Sequence, residues 1–369
     1  MILVLNSGSS SVKFRVVDLD DPEAGERGIV ERIGEPGGVA DHAAALKEVL
    51  DGLGNARIEA VGHRIVHGGA RFTRPALVDD AVLAALRELV PLAPLHNPGG
   101  ILGIEAAREK LPSVPHVAVF DTAFHATIPP AAATYAIDRG LALRYDIRRF
   151  GFHGTSCAYV SGRAAALLGR PLEDLNLIVL HLGNGASATA VRGGRSVDTS
   201  MGMTPLEGLV MGTRSGDIDP AVGAYLNRVA GMDFAAVDDQ LQRHAGLLGL
   251  AGVNDMRSLL ERRAAGDEAA ALAFDVYCHR IRKYIGAYHA VLGRLDAIVF
   301  TAGVGEHAPA VRAASLAGLE SWGIEVDAAR NAANERIVSA DGARVAVCVV
   351  PTDEEYSIAE QTAALTTSH

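Results

Sequence analysis

Cysteine is scarce in this chain: three residues in 369, Cys157, Cys278 and Cys348, far apart and with no CxxC pair. An odd, scattered set provides neither a disulfide framework nor a thiolate zinc site, and it fits a reducing compartment. Long hydrophobic runs are missing too; none approaches the ~20 residues that a membrane helix requires. The opening residues, MILVLNSGSSSVKF, lack a basic stretch and break into Gly and Ser after five residues, which is not the pattern of a signal peptide. A cytoplasmic protein with no membrane partner is expected. Nor is there an excess of positive charge. Lys and Arg number 34 against 44 Asp and Glu, a net charge of −10, which argues against a nucleic-acid partner. Cations that meet an anionic ligand must be gathered locally against that background.

What is present is length enough for two domains, with nearly half the residues apolar. The most informative feature is an internal echo. MILVLNSGSSSVKFRVV at the start is matched by NLIVLHLGNGASATAVR at 176–192. Each has an apolar strand, a turn of Asn, Gly and small residues, and a second strand. Such a hairpin turns backbone N–H groups and hydroxyls toward whatever lies above it, which suits an anion. Two copies about 175 residues apart, each opening an α/β half, suggest duplicated domains facing each other across a phosphate. Strand-like runs at 60–66, 116–121, 297–300 and 344–350 alternate with helix-like runs at 41–50, 79–89, 155–168 and 267–292. In the last of these, Phe274, Cys278, Ile281, Ile285, Tyr288 and Leu292 recur at spacings of four and three, an apolar stripe that reads as core. The pattern is α/β, with the boundary placed near 122–125.

Several segments carry chemistry. Asn6, Ser9, Ser11, Lys13 and Asn184 lie in the hairpins, where they either ligate phosphate oxygens or satisfy their own turns. HRIVHGG (63–69) ends a strand in Arg64 and turns on two glycines; an Arg there calls for an anion or a carboxylate. MGTRSGDIDP (211–220) sets Arg214 among glycines, and its Asp-Pro reads as the N-cap and first turn of the next helix. FDTAFH and GFHGTS supply Asp121 and His153 at element ends. GVGEHA (303–308) matches a dinucleotide fingerprint, yet it stands late in the chain, and a dehydrogenase leaves the duplicated hairpins without a role. It reads better as a ledge under an adenosine. In PTDEEYSIAEQT, Thr352 or Asp353 caps a helix, and Glu354 or Glu355 is placed to hold magnesium.

Taken in order, NSGSSSVKF, HRIVHGG, LAPLHNP, FDTAFH, GFHGTS, HLGNG, DTSMGMTPLEGL, MGTRSGDIDP, FTAGVGE and PTDEE closely resemble the acetate kinase family, nearly end to end. The resemblance implies two duplicated actin-like (ribonuclease H-like) domains facing each other across a nucleotide cleft: residues 1–123 joined by a C-terminal helix 357–369, and residues 124–356 with the nucleotide site and a dimer interface. It also implies a homodimer that transfers the ATP γ-phosphoryl group to acetate, with Mg2+ or Mn2+. Arg64, Asp121, His153 and Arg214 fall on catalytic positions, Glu354 and Asn6 on metal positions, and His96 on a supporting one. Arg64, Val66, Leu95, Phe152 and Pro205 fall on the acid-binding positions. Lys13, His181, Leu182, Gly183, Asn184, Gly185, Asp255, Met256, Arg257, Gly303, Val304, Gly305, Glu306 and His307 fall on those for the nucleotide. Asp121 either shares the magnesium or orients an arginine. Cys157, Gly100 and His307 depart from the family's usual His, Asn and Asn. Propionate kinase is the nearest alternative, and a nucleotide-gated interaction protein of the actin type a more distant one.

Overall fold

The computed structural model describes residues 1–21, 25–53 and 56–367. They form two compact units. The first takes Met1–Ala126, Phe152–Tyr159 and the chain from Asp353 onward; the second takes Thr127–Gly151 and Val160–Thr352. Residues 124–126, 152–159 and 353–356, which the sequence division put in the second domain, pack with the first unit. Two hydrogen bonds tie the middle segment there: Gly154 N–H donates to the Asp121 carbonyl at 2.9 Å, and His125 Nε2 meets the Phe152 carbonyl at 2.9 Å.

The first unit holds a six-stranded sheet. Its strands are β1 (Ile2–Ser7), β2 (Ser11–Val17), β3 (Arg27–Glu31), β4 (Ala60–Ile65), β5 (Ala76–Leu77) and β6 (His116–Phe120), ordered β3-β2-β1-β4-β6-β5. Alternation sorts the apolar residues of β1 onto two faces. Leu3 and Leu5 pack with Val12 and Val16 against Leu46, Val49 and Ala107. Ile2 and Val4 pack with Val117 and Val119 against Ile358 and Ala359 of helix Glu354–Thr366. This helix begins three residues before the expected start; 368–369 lie outside the described residues. Gly62 lets it approach, since a Cβ there would meet Thr362 Oγ1 at 2.5 Å and Ile358 at 2.8 Å. Helix Asn97–Lys110 covers the opposite face, and Gly99 lets its first turn reach the backbone of Gly8.

The second unit holds β7 (Asn176–Leu182), β8 (Ala186–Arg192), β9 (Arg195–Thr199), β10 (Ala297–Thr301) and β11 (Ala346–Val349), ordered β11-β10-β7-β8-β9. The echo seen in the sequence is structural. β1 with β2 and β7 with β8 are antiparallel hairpins, and the first strand of each also pairs in parallel with a later strand, β4 and β10 respectively. Helix Glu268–Leu292 packs on β8 and β7, and its stripe from Phe274 to Leu292 is buried. Asp267 caps it, accepting from the N–H groups of Ala269 and Ala270. β11 is shorter than the expected strand at 344–350, because its pairing with β10 spans only 346–349. The helix after Asp219 starts at Ala221, one residue later than expected, although the Asp219 carboxylate still accepts the Ala221 N–H at 2.9 Å. Among the described residues, no helix is long and apolar enough to cross a membrane.

Candidate active site

In the first unit, parallel strands deliver the charged groups. β4 and β6 pair in register, Arg64 beside Val119 and Ile65 beside Phe120, and the Asp121 N–H extends the ladder to the Ile65 carbonyl at 3.0 Å. Arg64 and Asp121 therefore emerge side by side. Arg64 Nε donates to Asp121 Oδ1 at 3.1 Å and Nη2 to Oδ2 at 2.7 Å. Glu354 Oε2 lies 3.6 Å from Arg64 Nε. Burial works against the guanidinium charge, but Asp121 and Glu354 outweigh it and raise the Arg64 pKa. Both Asp121 oxygens thus accept from Arg64.

Glu354 is held from behind. Arg15 Nη1 grips both oxygens of Asp353 at 2.7 and 2.8 Å, and Asp353 Oδ1 caps the last helix by accepting from Tyr356 N–H at 2.9 Å. Asp353, not Thr352, is the cap. Asn6 is half-buried on β1, and Lys13, its cross-strand partner, is exposed. Among the described residues, no group of three His, Cys, Asp or Glu could hold a metal alone. Glu354 with the Asn6 amide suits magnesium, which keeps several waters and shares phosphate oxygens instead of filling a protein cage.

His153 sits at φ +57°, a left-handed conformation that turns the chain directly into helix Gly154–Leu168. Cys157 lies fully buried on that helix, its N–H bonded to the His153 carbonyl at 2.9 Å. Phe152 is buried, Val66 half-buried and Leu95 exposed, all in the first unit. Three supporting residues carried no signal of their own in the sequence. Asn97 bonds both the N–H and the carbonyl of His67, Thr122 accepts the Gly68 N–H, and His125 anchors Phe152.

The second unit contrasts with this. Arg214 Nη1 donates to the Pro205 carbonyl at 3.2 Å and lies 3.6 Å from Met211 Sδ. Among the described residues no carboxylate pairs with it, and burial alone lowers its pKa. The neighbouring loop is built by Arg149, which the sequence did not single out. Its Nη1 donates to the carbonyls of Thr199, Ser200 and Met201 at 2.9–3.1 Å, and its Nη2 to Glu207 at 2.5 Å. Glu207 also accepts from the Tyr135 hydroxyl. Gly246 at φ +59° allows close approach to the Arg214 segment, where a Cβ would meet the Met211 carbonyl at 2.2 Å and the Arg214 carbonyl at 2.7 Å.

Of the expected nucleotide residues, Gly183, Asn184, Asp255, Met256, Gly303 and Val304 line one cavity of about 350 Å³, joined by Gly212, Leu247, Asn254 and Tyr277. His181, Leu182, Gly185, Arg257, Gly305, Glu306 and His307 stand outside its wall, and Lys13 belongs to the first unit. His181 and Leu182 are buried in β7, and Arg257 is exposed on the helix that Asp255 caps. The strand before GVGEHA runs straight into helix Ala302–His307. Arg312, fully buried, holds the end of that helix. Its five N–H groups reach the carbonyls of Gly305, Glu306 and Asn331 and the side-chain oxygens of Asn331 and Asn334.

The family model of the acetokinase family matches residues 1–360. The chain is 58% identical to an acetate kinase of Streptomyces avermitilis, over 99% of this chain and 97% of that one, and 55% identical to one of Leifsonia xyli, over 98% and 97%. Among solved structures it resembles an acetate kinase of Porphyromonas gingivalis (TM-score 0.94, 39% identity, 99% of both chains). A propionate kinase of Francisella tularensis is equally similar (TM-score 0.94, 39% identity, 98% and 99%).

The buried histidines set an acid limit. Burial pushes His125 down to about 4, and lowers His63 and His116, which share a 3.0 Å hydrogen bond. Unfolded histidines titrate near 6.5, so between ~6.5 and ~4 the unfolded chain binds more protons and stability falls as pH falls. Thermal melts should show this loss. In His125→Gln the decline between pH 6.5 and 4.5 should be shallower, by on the order of 2–3 kcal/mol. An unchanged slope would remove His125 as a source.

Proposed function

The chain belongs to the acetokinase family, and from that premise we propose that it transfers the γ-phosphoryl group of ATP reversibly to acetate, giving acetyl phosphate and ADP. One observation carries the reading at the level of this chain: Arg214 is a half-buried guanidinium with no carboxylate partner among the described residues. A cation left so is costly unless an anion arrives. A phosphoryl group in flight, with charge spread over its equatorial oxygens, is such an anion. Acetate is already ionised at neutral pH, so its oxygen needs no general base. The difficulty is the approach of two anions, and the reading distributes cations accordingly. Arg64, oriented by Asp121, takes the carboxylate. Arg214 and a ring N–H of His153 take the phosphoryl oxygens.

Magnesium, when bound, neutralises charge on the phosphates; Glu354 and Asn6 would hold it, partly through water. Val66, Leu95, Phe152 and Pro205 are assigned to the methyl group. The equal similarity to a propionate kinase keeps a longer acid as the second reading. One methylene is worth only ~1–3 kcal/mol in such a pocket.

The homodimer we assign to the second unit. Helix Ala221–Ala230 has no buried residue, and with Phe234–Arg243 it borders an apolar groove of about 810 Å³ that none of the catalytic candidates lines. Val229 is 61% exposed and Phe234 88%. An apolar face of this kind fits a protein contact. Sedimentation should give twice the 38.5 kDa chain mass, and the double variant Val229→Asp/Phe234→Asp should shift toward monomer. A dimer that persists in the variant would move the contact elsewhere.

The activity itself is tested by kcat/KM over formate, acetate, propionate and butyrate with ATP and magnesium, where acetate should lead. Arg214→Ala should lower kcat by about 10³-fold or more, with the fold intact. Arg214→Lys should restore little, because a point charge lacks the planar fork. Near-normal turnover in Arg214→Ala would remove this arginine from the mechanism.

A further inference from the structure

We infer that the Tyr277 hydroxyl reads the nucleotide base, donating a hydrogen bond to a ring nitrogen of a purine held in the 350 Å³ cavity. This rests on the nucleotide reading given above. Tyr277 stands on helix Glu268–Leu292, is 2% exposed, and forms part of the cavity wall with Asp255, Met256, Gly303 and Val304. Its hydroxyl is buried and has no hydrogen-bond partner among the described residues.

Buried polar atoms are almost always paired, so an orphan on a ligand wall asks for its partner. Phenylalanine would fill the same space without the penalty. The hydroxyl therefore costs stability in the free protein and is repaid only when an acceptor enters. Burial raises its pKa, so the group stays protonated and able to donate. Its neighbours leave the role open: the Asp255 carboxylate already accepts the Ser258 N–H at 2.9 Å, and Leu247, Met256 and Val304 are apolar. At Gly303 no atom lies within 4 Å of where a Cβ would be, so that part of the same wall is open. A purine presents ring nitrogens that accept, the acceptor this hydroxyl lacks.

The test is titration calorimetry of the full chain with Mg–ADP and with its 1-, 3- and 7-deaza analogues, for wild type and Tyr277→Phe. The variant should bind ADP about 3- to 20-fold more weakly. KM for ATP should rise by a similar factor, while kcat and KM for acetate stay within about twofold. The melting temperature of the ligand-free variant should hold or rise, where a merely structural hydroxyl would make it fall. In the wild type one deaza analogue should be weakened by the same factor, and in Tyr277→Phe this analogue and ADP should bind alike. Equal ADP affinity in the two proteins, or a loss shared by no analogue, would overturn the inference. A wild type that binds no ADP and phosphorylates no acetate would overturn the proposed function and this inference with it.

Discussion

The pairing of β4 with β6 brings Arg64 and Asp121 to adjacent strand ends, and the bidentate ion pair formed there organises the first unit's charged face. At that depth the guanidinium is satisfied by two charge-assisted hydrogen bonds to one carboxylate. The Asp121 carbonyl then accepts the Gly154 N–H, which ties the His153 turn to the same strand end. From the other side, Arg15 grips Asp353, Asp353 caps the last helix, and Glu354 is delivered 3.6 Å from Arg64. Asp121 and Glu354 thus both face this one arginine.

The second unit positions its irregular backbone chiefly through carbonyl acceptors. Arg149 holds three successive carbonyls of the 199–201 loop, and Arg312 holds the end of helix Ala302–His307, neither as part of a simple exposed ion pair. Planar five-donor groups are well suited to fixing irregular backbone, because one side chain satisfies several carbonyls at set angles. Arg214 differs from both in the number of its acceptors, since it has one carbonyl and a thioether. The contrast between a saturated arginine in one unit and an unsaturated one in the other supports assigning them to carboxylate and phosphoryl group respectively.

Much of this was legible beforehand because it depends on local chemistry. The two hairpins follow from apolar strands around Asn- and Gly-bearing turns, and the long helix from its stripe at spacings of three and four. Asp353, one of the two caps the sequence offered for the last helix, does cap it, through a short side chain that reaches the Tyr356 N–H. Element ends drifted by one to three residues where a partner strand stopped, as at β11, since pairing is a property of two segments. The ordered motifs made the family recognisable over the whole chain, and the family match covers residues 1–360.

The sequence by itself thus determined the α/β class, the duplicated hairpins and the set of residue types available for phosphoryl transfer. Only the tertiary structure decided how those residues are spent. Asp121 and Arg64 are 57 positions apart, and nothing in either motif says that both carboxylate oxygens go to the arginine. Asp255 turned out to cap a helix, while seven of the expected nucleotide residues of the second unit stand off the cavity wall that Tyr277 joins. Hydrogen-bond partners are set by the packing of segments distant in sequence, and the cost of a buried unpaired group depends on what surrounds it. Periodicity and spacing record which side of an element faces inward, but not which atom it meets there.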